Sequence, residues 1–134
     1  MARITGIGGV FFRARGETAA LAAWYRDALG LHLQDWGGAV LSWPEDRAGD
    51  GGCTVWHLAA ADSTWFDPSP APFMINYRVD DLDGIIARLA AMGTPLHQGP
   101  ETHENGRFAW VIDPEGNKVE LWEPQPWQDG AATG

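Results

Sequence analysis

Few side chains in this 134-residue chain are equipped for chemistry. The four histidines, His32, His57, His97 and His103, and the one cysteine, Cys53, are scattered along it. No two histidines stand at the short spacings that set two ligands on one helix face or one strand, so each is read as a surface or structural residue. His103 is the least isolated, between Glu101 and Glu104 on a segment that could fold over the mouth of a pocket. Cys53 has no evident activating base, which leaves it without a case as a nucleophile. Arg13 and Arg78 could grip a carboxylate or carbonyl in bidentate fashion, or pair with acids of the chain itself. The eight tryptophans are the compositional surplus. Such rings fill cores and interfaces, or stack on a flat ligand.

The charge balance narrows the partners. Eighteen acidic against nine basic residues give a formal net charge of -9, which repels phosphate backbones and anionic lipid headgroups. Neither a nucleic-acid nor a membrane partner is expected; a small molecule is. A single cysteine makes no intrachain disulfide, and the opening Met-Ala-Arg-Ile-Thr-Gly-Ile has no apolar leader run, so a cytoplasmic protein is expected.

The elements that position these residues repeat. Residues 7–14 read as a strand; Leu21, Trp24, Tyr25 and Ala28 mark a helix stopped by Gly30; further strands follow at about 31–36, 39–43 and 53–59, with Gly37-Gly38 as a hairpin turn. The second half has the same order. A strand at 73–79 leads to capping Asp80-Asp81, then a helix with Leu82, Ile85, Ile86 and Leu89 on its buried face, stopped by Gly93. Strands follow near 95–99, 107–112 and 118–122, joined by Asn105-Gly106 and by Asp113 to Asn117. Gly9 overlies Met74 and Arg13 overlies Arg78, both 65 residues apart, while Trp56 overlies Glu120, 64 apart. The expected fold class is α+β: one domain over 1–134 built of two tandem βαβββ modules, about 4–62 and 73–124. A proline-rich linker (63–72) joins them and a tail (125–134) follows. The sheets should curve into a mixed cup, with the helices on the outer face.

Three stretches resemble the vicinal-oxygen-chelate superfamily of glyoxalases, bleomycin-resistance proteins and extradiol dioxygenases. They are Leu21 to Leu31 with its Trp24-Tyr25 and Leu29-Gly30-Leu31, Tyr77 to Asp83, and Asp113-Pro114-Glu115-Gly116-Asn117-Lys118-Val119-Glu120-Leu121. The resemblance implies that a divalent metal would be held from the first and last strands of each module. Those places carry Gly9, Trp56, Met74 and Glu120 here. Glycine has no donor, indole nitrogen no lone pair to give, and a thioether is a soft ligand, so Glu120 alone is retained and no metal or other cofactor is expected.

From those anchors, alternation along the strands lines the cup with Phe11, Arg13, Trp56, Met74, Asn76, Arg78, Glu120 and Trp122, with Trp110 or its neighbours added. His57, next to Trp56, should then face the helices. This is an aromatic pocket with few polar groups. It fits a binding or resistance-type protein for which acidity favours a cationic ligand. It also fits a lyase, isomerase or dioxygenase in which Glu120 is a metal-free acid or base, or part of a non-standard metal site. A homodimer is expected, with Trp65, Phe66 and Trp127 as interface apolars; whether one chain or two complete a cup stays open.

Overall fold

A computed structural model of the chain describes residues 9–43 and 53–125. In chain order its elements are α1 (Thr18–Leu29), β1 (Ile75–Arg78), α2 (Leu82–Ala91), β2 (Gln98–His103), β3 (Gly106–Ile112) and β4 (Lys118–Pro124). The strands form one mixed sheet in the order β1-β4-β3-β2, with β1 parallel to β4 and the other neighbours antiparallel. The protein is α+β, and both helices pack on the same side of this sheet.

Local chemistry sets the boundaries. α1 buries Leu21, Trp24, Tyr25 and Ala28 and ends at Gly30, where φ is 75°. The Gly30 and Leu31 amides donate to Arg26 and Tyr25 carbonyls, the paired closure that a left-handed glycine permits. At the start of α2 the Asp81 carboxylate accepts from the Gly84 amide at 3.1 Å, and Glu123 of β4 accepts from the Leu82 amide at 2.8 Å. Two carboxylates thus satisfy amides that the helix itself leaves open. The β2–β3 turn uses Glu104 and Asn105, and Gly106 follows with φ 136°. A Cβ at Gly106 would lie 2.3 Å from the Glu123 carbonyl oxygen, so glycine is required there for the strands to approach.

Alternation divides β3 and β4 between two faces. Ala109, Val111, Val119 and Leu121 join the two helices in the core, and Leu82, Leu89, Leu121, Val111 and Val119 are essentially sealed. The other face, carrying Phe108, Trp110, Glu120 and Trp122, points away from the helices.

The second half therefore follows the expected strand, helix, strand, strand, strand order. Its β2 lies a few residues later than expected because the pairing slips between Gln98 and Glu101, around Gly99-Pro100. The first half departs from expectation: α1 is its one regular element among the described residues. A turn does form at Gly37-Gly38, with the Gln34 amide donating to the Gly38 carbonyl and the Gly37 amide to Gln34. The segments expected as strands at 9–14, 31–36, 39–43 and 53–59 pair with nothing in the sheet, and Phe11, Trp43, Trp56 and Leu58 lie exposed. In the second half, turns of two and five residues fix the register of β2, β3 and β4. Residues 1–8, 44–52 and the tail beyond 125, including Trp127, lie outside the described residues.

Candidate functional site

The face of the sheet away from the helices is built by register. Trp110 lies opposite Glu120 and Phe108 opposite Trp122 on β3 and β4; β1 sets Asn76 beside Glu120 and Arg78 beside Trp122; β2 sets Gln98 beside Trp110 and Glu101 beside Phe108. The rings are stacked in a row, with their planes nearly parallel. Phe108 and Trp122 are 5.9 Å apart and 4° from parallel, Phe108 and Trp110 are 6.4 Å apart and 18° from parallel. Alternation along β3 sets the Phe108–Trp110 pair and cross-strand pairing the Phe108–Trp122 pair, so a wall of stacked apolar rings crosses this face.

Glu120 stands in that wall, buried, with both oxygens engaged. Asn76 Nδ2 donates to Oε1 at 2.7 Å and Trp110 Nε1 donates to Oε2 at 2.9 Å. The indole donor thereby fixes the ring of Trp110 as well as the carboxylate. Trp122 Nε1 donates to the Asn105 carbonyl at 3.0 Å. At the rim, His103 Nε2 lies 3.1 Å from Glu101 Oε1 and its ring meets Phe108 edge-on at 5.6 Å. Gln98 Nε2 donates to the other Glu101 oxygen, and this bond, with His103, holds the Glu101 carboxyl below its usual range.

Trp65, Phe108, Trp110 and Glu120 line an open cavity of about 660 Å³, whose rim is polar and acidic: Glu101, His103 and Glu104. Lys118 is buried beside it, its Nζ donating to the Trp65 carbonyl at 2.8 Å and lying 6.0 Å from the centre of the Trp110 ring.

Of the residues anticipated for the pocket, Asn76, Trp110 and Glu120 meet directly and Trp122 joins them through Phe108. Arg78 shares the face beside Trp122 and donates to the Cys53 carbonyl. Met74 is half-buried just before β1 and is not part of the cavity lining. Phe11, Arg13 and Trp56 are exposed and stand apart from it. The alternation that assigned them presumes strands, which the described segments there do not form. For the same reason His57 does not face the helices; it is exposed, edge-on to Trp65 at 6.1 Å. Phe108 and Trp65 were missed. Phe108 was legible, two residues before Trp110 on one strand. Trp65, read as an interface residue, carries no local sign of its place on the wall, because the linker positions it.

The resembling motifs prove to be fasteners. Asp113 Oδ2 accepts from Tyr25 Oη and Asn117 Nδ2, both at 2.8 Å, while Oδ1 accepts from the Glu115 and Asn117 amides. Glu115 accepts from the Arg15 and Gly16 amides at 2.6 Å, and Arg15 donates to Asn117 at 2.8 Å. The turn before β4 thus locks α1 onto the sheet.

The four positions from which a family metal would be held do not fit one. Gly9 and Trp56 are exposed and offer no suitable donor, and both oxygens of Glu120 already accept hydrogen bonds. Among the described residues no group of three or more His, Cys, Asp or Glu side chains could hold a metal ion, and no helix is long and apolar enough to cross a membrane.

The helices cover one face of an open four-stranded α+β sheet, and a cavity lined by aromatic and carboxylate side chains lies on the other. The chain belongs to the Glyoxalase/Bleomycin resistance protein/Dioxygenase superfamily, whose family model matches residues 9–121. Among solved structures it is similar to TnmS3, an antibiotic binding protein from Streptomyces sp. CB03234, with 22% identity, 82% of this chain and 88% of that one covered, and a TM-score of 0.50. A virulence protein from Salmonella typhimurium gives 11% identity over 87% of this chain and 99% of that one, with a TM-score of 0.51. A glyoxalase/bleomycin resistance protein from Streptomyces sp. CB03234 is 34% identical over 44% of this chain and 53% of that one, with a TM-score of 0.35. No curated protein matches the chain.

Proposed function

We propose that the chain is a small-molecule-binding protein of the resistance or sequestering kind, taking a flat aromatic ligand on the Phe108–Trp110–Trp122 wall without a metal. The observation that carries this reading is the near-parallel set of rings around a fixed, buried carboxylate at the edge of an open cavity. Stacking supplies the affinity, and Glu120 with the acidic rim selects for a positively charged or hydrogen-donating ligand. The fold relative TnmS3, described as antibiotic binding, is in keeping with it. A second reading, a lyase, isomerase or dioxygenase-type enzyme using Glu120 as acid or base, rests on that carboxylate reaching the cavity. The two hydrogen bonds it already accepts suit a fixed counter-charge better than a group that must exchange protons.

The reading extends to assembly and place. Two chains associate so that exposed Phe11, Trp43, Trp56 and Leu58 are covered, in a cytoplasmic, metal-free homodimer of single-domain subunits.

The test is a tryptophan-fluorescence titration with three flat probes of different charge: 9-aminoacridine, 2-naphthol and naphthalene-2-sulfonate. Saturable binding of 9-aminoacridine, weakened about tenfold or more by Trp110→Ala and by Glu120→Gln, is expected. Binding unaffected by both variants, or no saturable binding of any probe, contradicts the assignment. Zn, Ni, Mn and Fe(II) should leave the melting temperature unchanged, since a real site would appear as stabilisation.

A further inference from the structure

Of the three stacked rings, Trp110 and Trp122 are buried and Phe108 is half-buried, so Phe108 is the ring of the row that a molecule in the cavity reaches most readily. What stands around Phe108 therefore decides what such a molecule meets. The ladder pairs Glu101 of β2 directly with Phe108, and His103, two residues further along β2, sets its ring edge-on to Phe108 at 5.6 Å. His103 Nε2 lies 3.1 Å from Glu101 Oε1, and Gln98 Nε2 donates to Glu101 Oε2 at 3.1 Å. Gln98 and His103 hold the Glu101 carboxyl below its usual range, so Glu101 is an ionised acceptor and His103 Nε2 carries the proton of their bond.

The cavity is lined by three carboxylates, Glu101, Glu104 and Glu120, and their settings differ. Glu120 is buried, and one of its two donors, the Trp110 indole, is buried with it. Glu104 stands in the β2–β3 turn, off the ladder that sets Glu101 beside Phe108. Glu101 alone adjoins the accessible ring, and its donors are exposed side chains of its own strand. The His103 and Glu101 side chains are 53% and 40% exposed, and a pair so open to water contributes little and is readily exchanged. His103 thus presents to Phe108 and Glu101 an aromatic ring with an N–H in its plane, held by contacts that an outside group could replace.

We infer that Glu101 is the specificity-determining residue that contacts the ligand's charged group, and that His103 is an internal occupant of that seat which gives way when the ligand binds. The inference rests on the binding function proposed above. The ligand class follows from the occupant: a nitrogen heteroaromatic cation with an N–H on the ring or directly attached to it. Such a group replaces the imidazole on both contacts at once, ring to Phe108 and N–H to Glu101, and adds its charge to the bond. A flat cation without an N–H keeps the attraction but loses the bond, and an uncharged ring gains neither. Because His103 must leave for any of them, it turns away ligands that cannot make that charge-assisted bond.

The experiment titrates the full chain with 9-aminoacridine, with N-methylacridinium, a flat cation that has no N–H, and with uncharged 2-naphthol. The parent should bind 9-aminoacridine saturably and about fivefold or more tighter than N-methylacridinium. Glu101→Gln should weaken 9-aminoacridine about tenfold, the scale of one charge-assisted hydrogen bond, and leave 2-naphthol within about twofold. His103→Ala should act in the opposite direction and tighten 9-aminoacridine about threefold, the worth of an exposed pair, and the gain should vanish when Glu101→Gln is also present. In the parent, the His103 ring resonances should lose the ring-current displacement due to Phe108 along the same saturation curve as the dye. If Glu101→Gln leaves the preference for 9-aminoacridine intact, if His103→Ala weakens the dye as Glu101→Gln does, or if the His103 resonances stay in place at saturation, the seat is refuted while the pocket stands. If the parent binds no 9-aminoacridine, the binding function itself fails and the inference with it.

Discussion

The two faces of strands β3 and β4 are made from neighbouring residues of the same segments, yet they do opposite work. Val111, Val119 and Leu121 point to the helices and are sealed, while Trp110, Glu120 and Trp122, one residue away, lie on the other face, where Trp110 and Glu120 line the cavity. On the sealed face every large side chain finds apolar neighbours within the chain. On the other face the side chains are held by specific hydrogen bonds, Asn76 and Trp110 to Glu120 and Trp122 to Asn105, and the space beyond the rings is left open. On this face too Trp110 and Trp122 are buried, and Phe108 and Glu120 reach the open cavity beside them. Removing a side chain should therefore cost stability alone on the helix face, and binding together with stability on the other.

The largest effect belongs to the sealed face. Leu121→Ala, at a position with no exposure, should cost about 2–5 kcal/mol by lost transfer energy and the cavity left behind, read as a lower urea midpoint. A loss no larger than that of Phe66→Ala, at a ring on the linker outside the core, would erase the distinction between the core face and the rest of the chain.

Next comes the fastener at the edge of the core. Asp113→Ala would orphan the Tyr25 hydroxyl, the Asn117 side chain and two backbone amides, and at roughly 1–3 kcal/mol for a buried donor left unsatisfied it should approach the cost of Leu121→Ala. Tyr25→Phe removes one bond and leaves Asp113 three donors, so its cost should be nearer ~1 kcal/mol. Equal melting curves for Asp113→Ala and the parent would show that the turn does not hold α1.

This fastener explains how much of the fold was legible. Asp113 to Asn117 and Tyr25 are the motif residues by which the family resemblance was read, and they hold the elements together without touching the cavity. Motif reading therefore reached the fold and, through alternation from Glu120, the side of the sheet that carries Trp110, Trp122 and Asn76. It did not reach Trp65, which a linker without periodicity delivers, nor foresee that Phe11 and Trp56 would lie on segments that pair with no strand of the sheet. Alternation assigns a face only where a ladder of hydrogen bonds enforces it.

A smaller, spectroscopic effect follows from the two tyrosines, the only ones in the chain. Burial, with Asp113 nearby, raises the Tyr77 hydroxyl to about 12, and burial with the Tyr77 and Asp113 contacts raises that of Tyr25 above its ordinary range. Both favour the neutral phenol in the folded state. Their contribution is fully present below the ordinary tyrosine value near 10; that of Tyr77 is lost as pH rises through about 12, and that of Tyr25 at still higher pH. Tyrosinate absorbance should therefore be nearly silent at about pH 10.5 and appear together with unfolding at higher pH. Half-titration near pH 10 in the folded protein would show that the helix side of the sheet is open to water.

The central claim is that ligand binds on the face opposite the helices, and the eight tryptophans report it directly. Indole N–H resonances, assigned by single substitution, should be followed as 9-aminoacridine is added to the parent protein. Trp65, Trp110 and Trp122 are expected to shift with one common saturation curve, while Trp24, buried between α1 and the sheet, stays in place. Shifts confined to Trp36, Trp43 and Trp56, with Trp65 and Trp110 unmoved, would place the ligand on the first half of the chain and contradict the account.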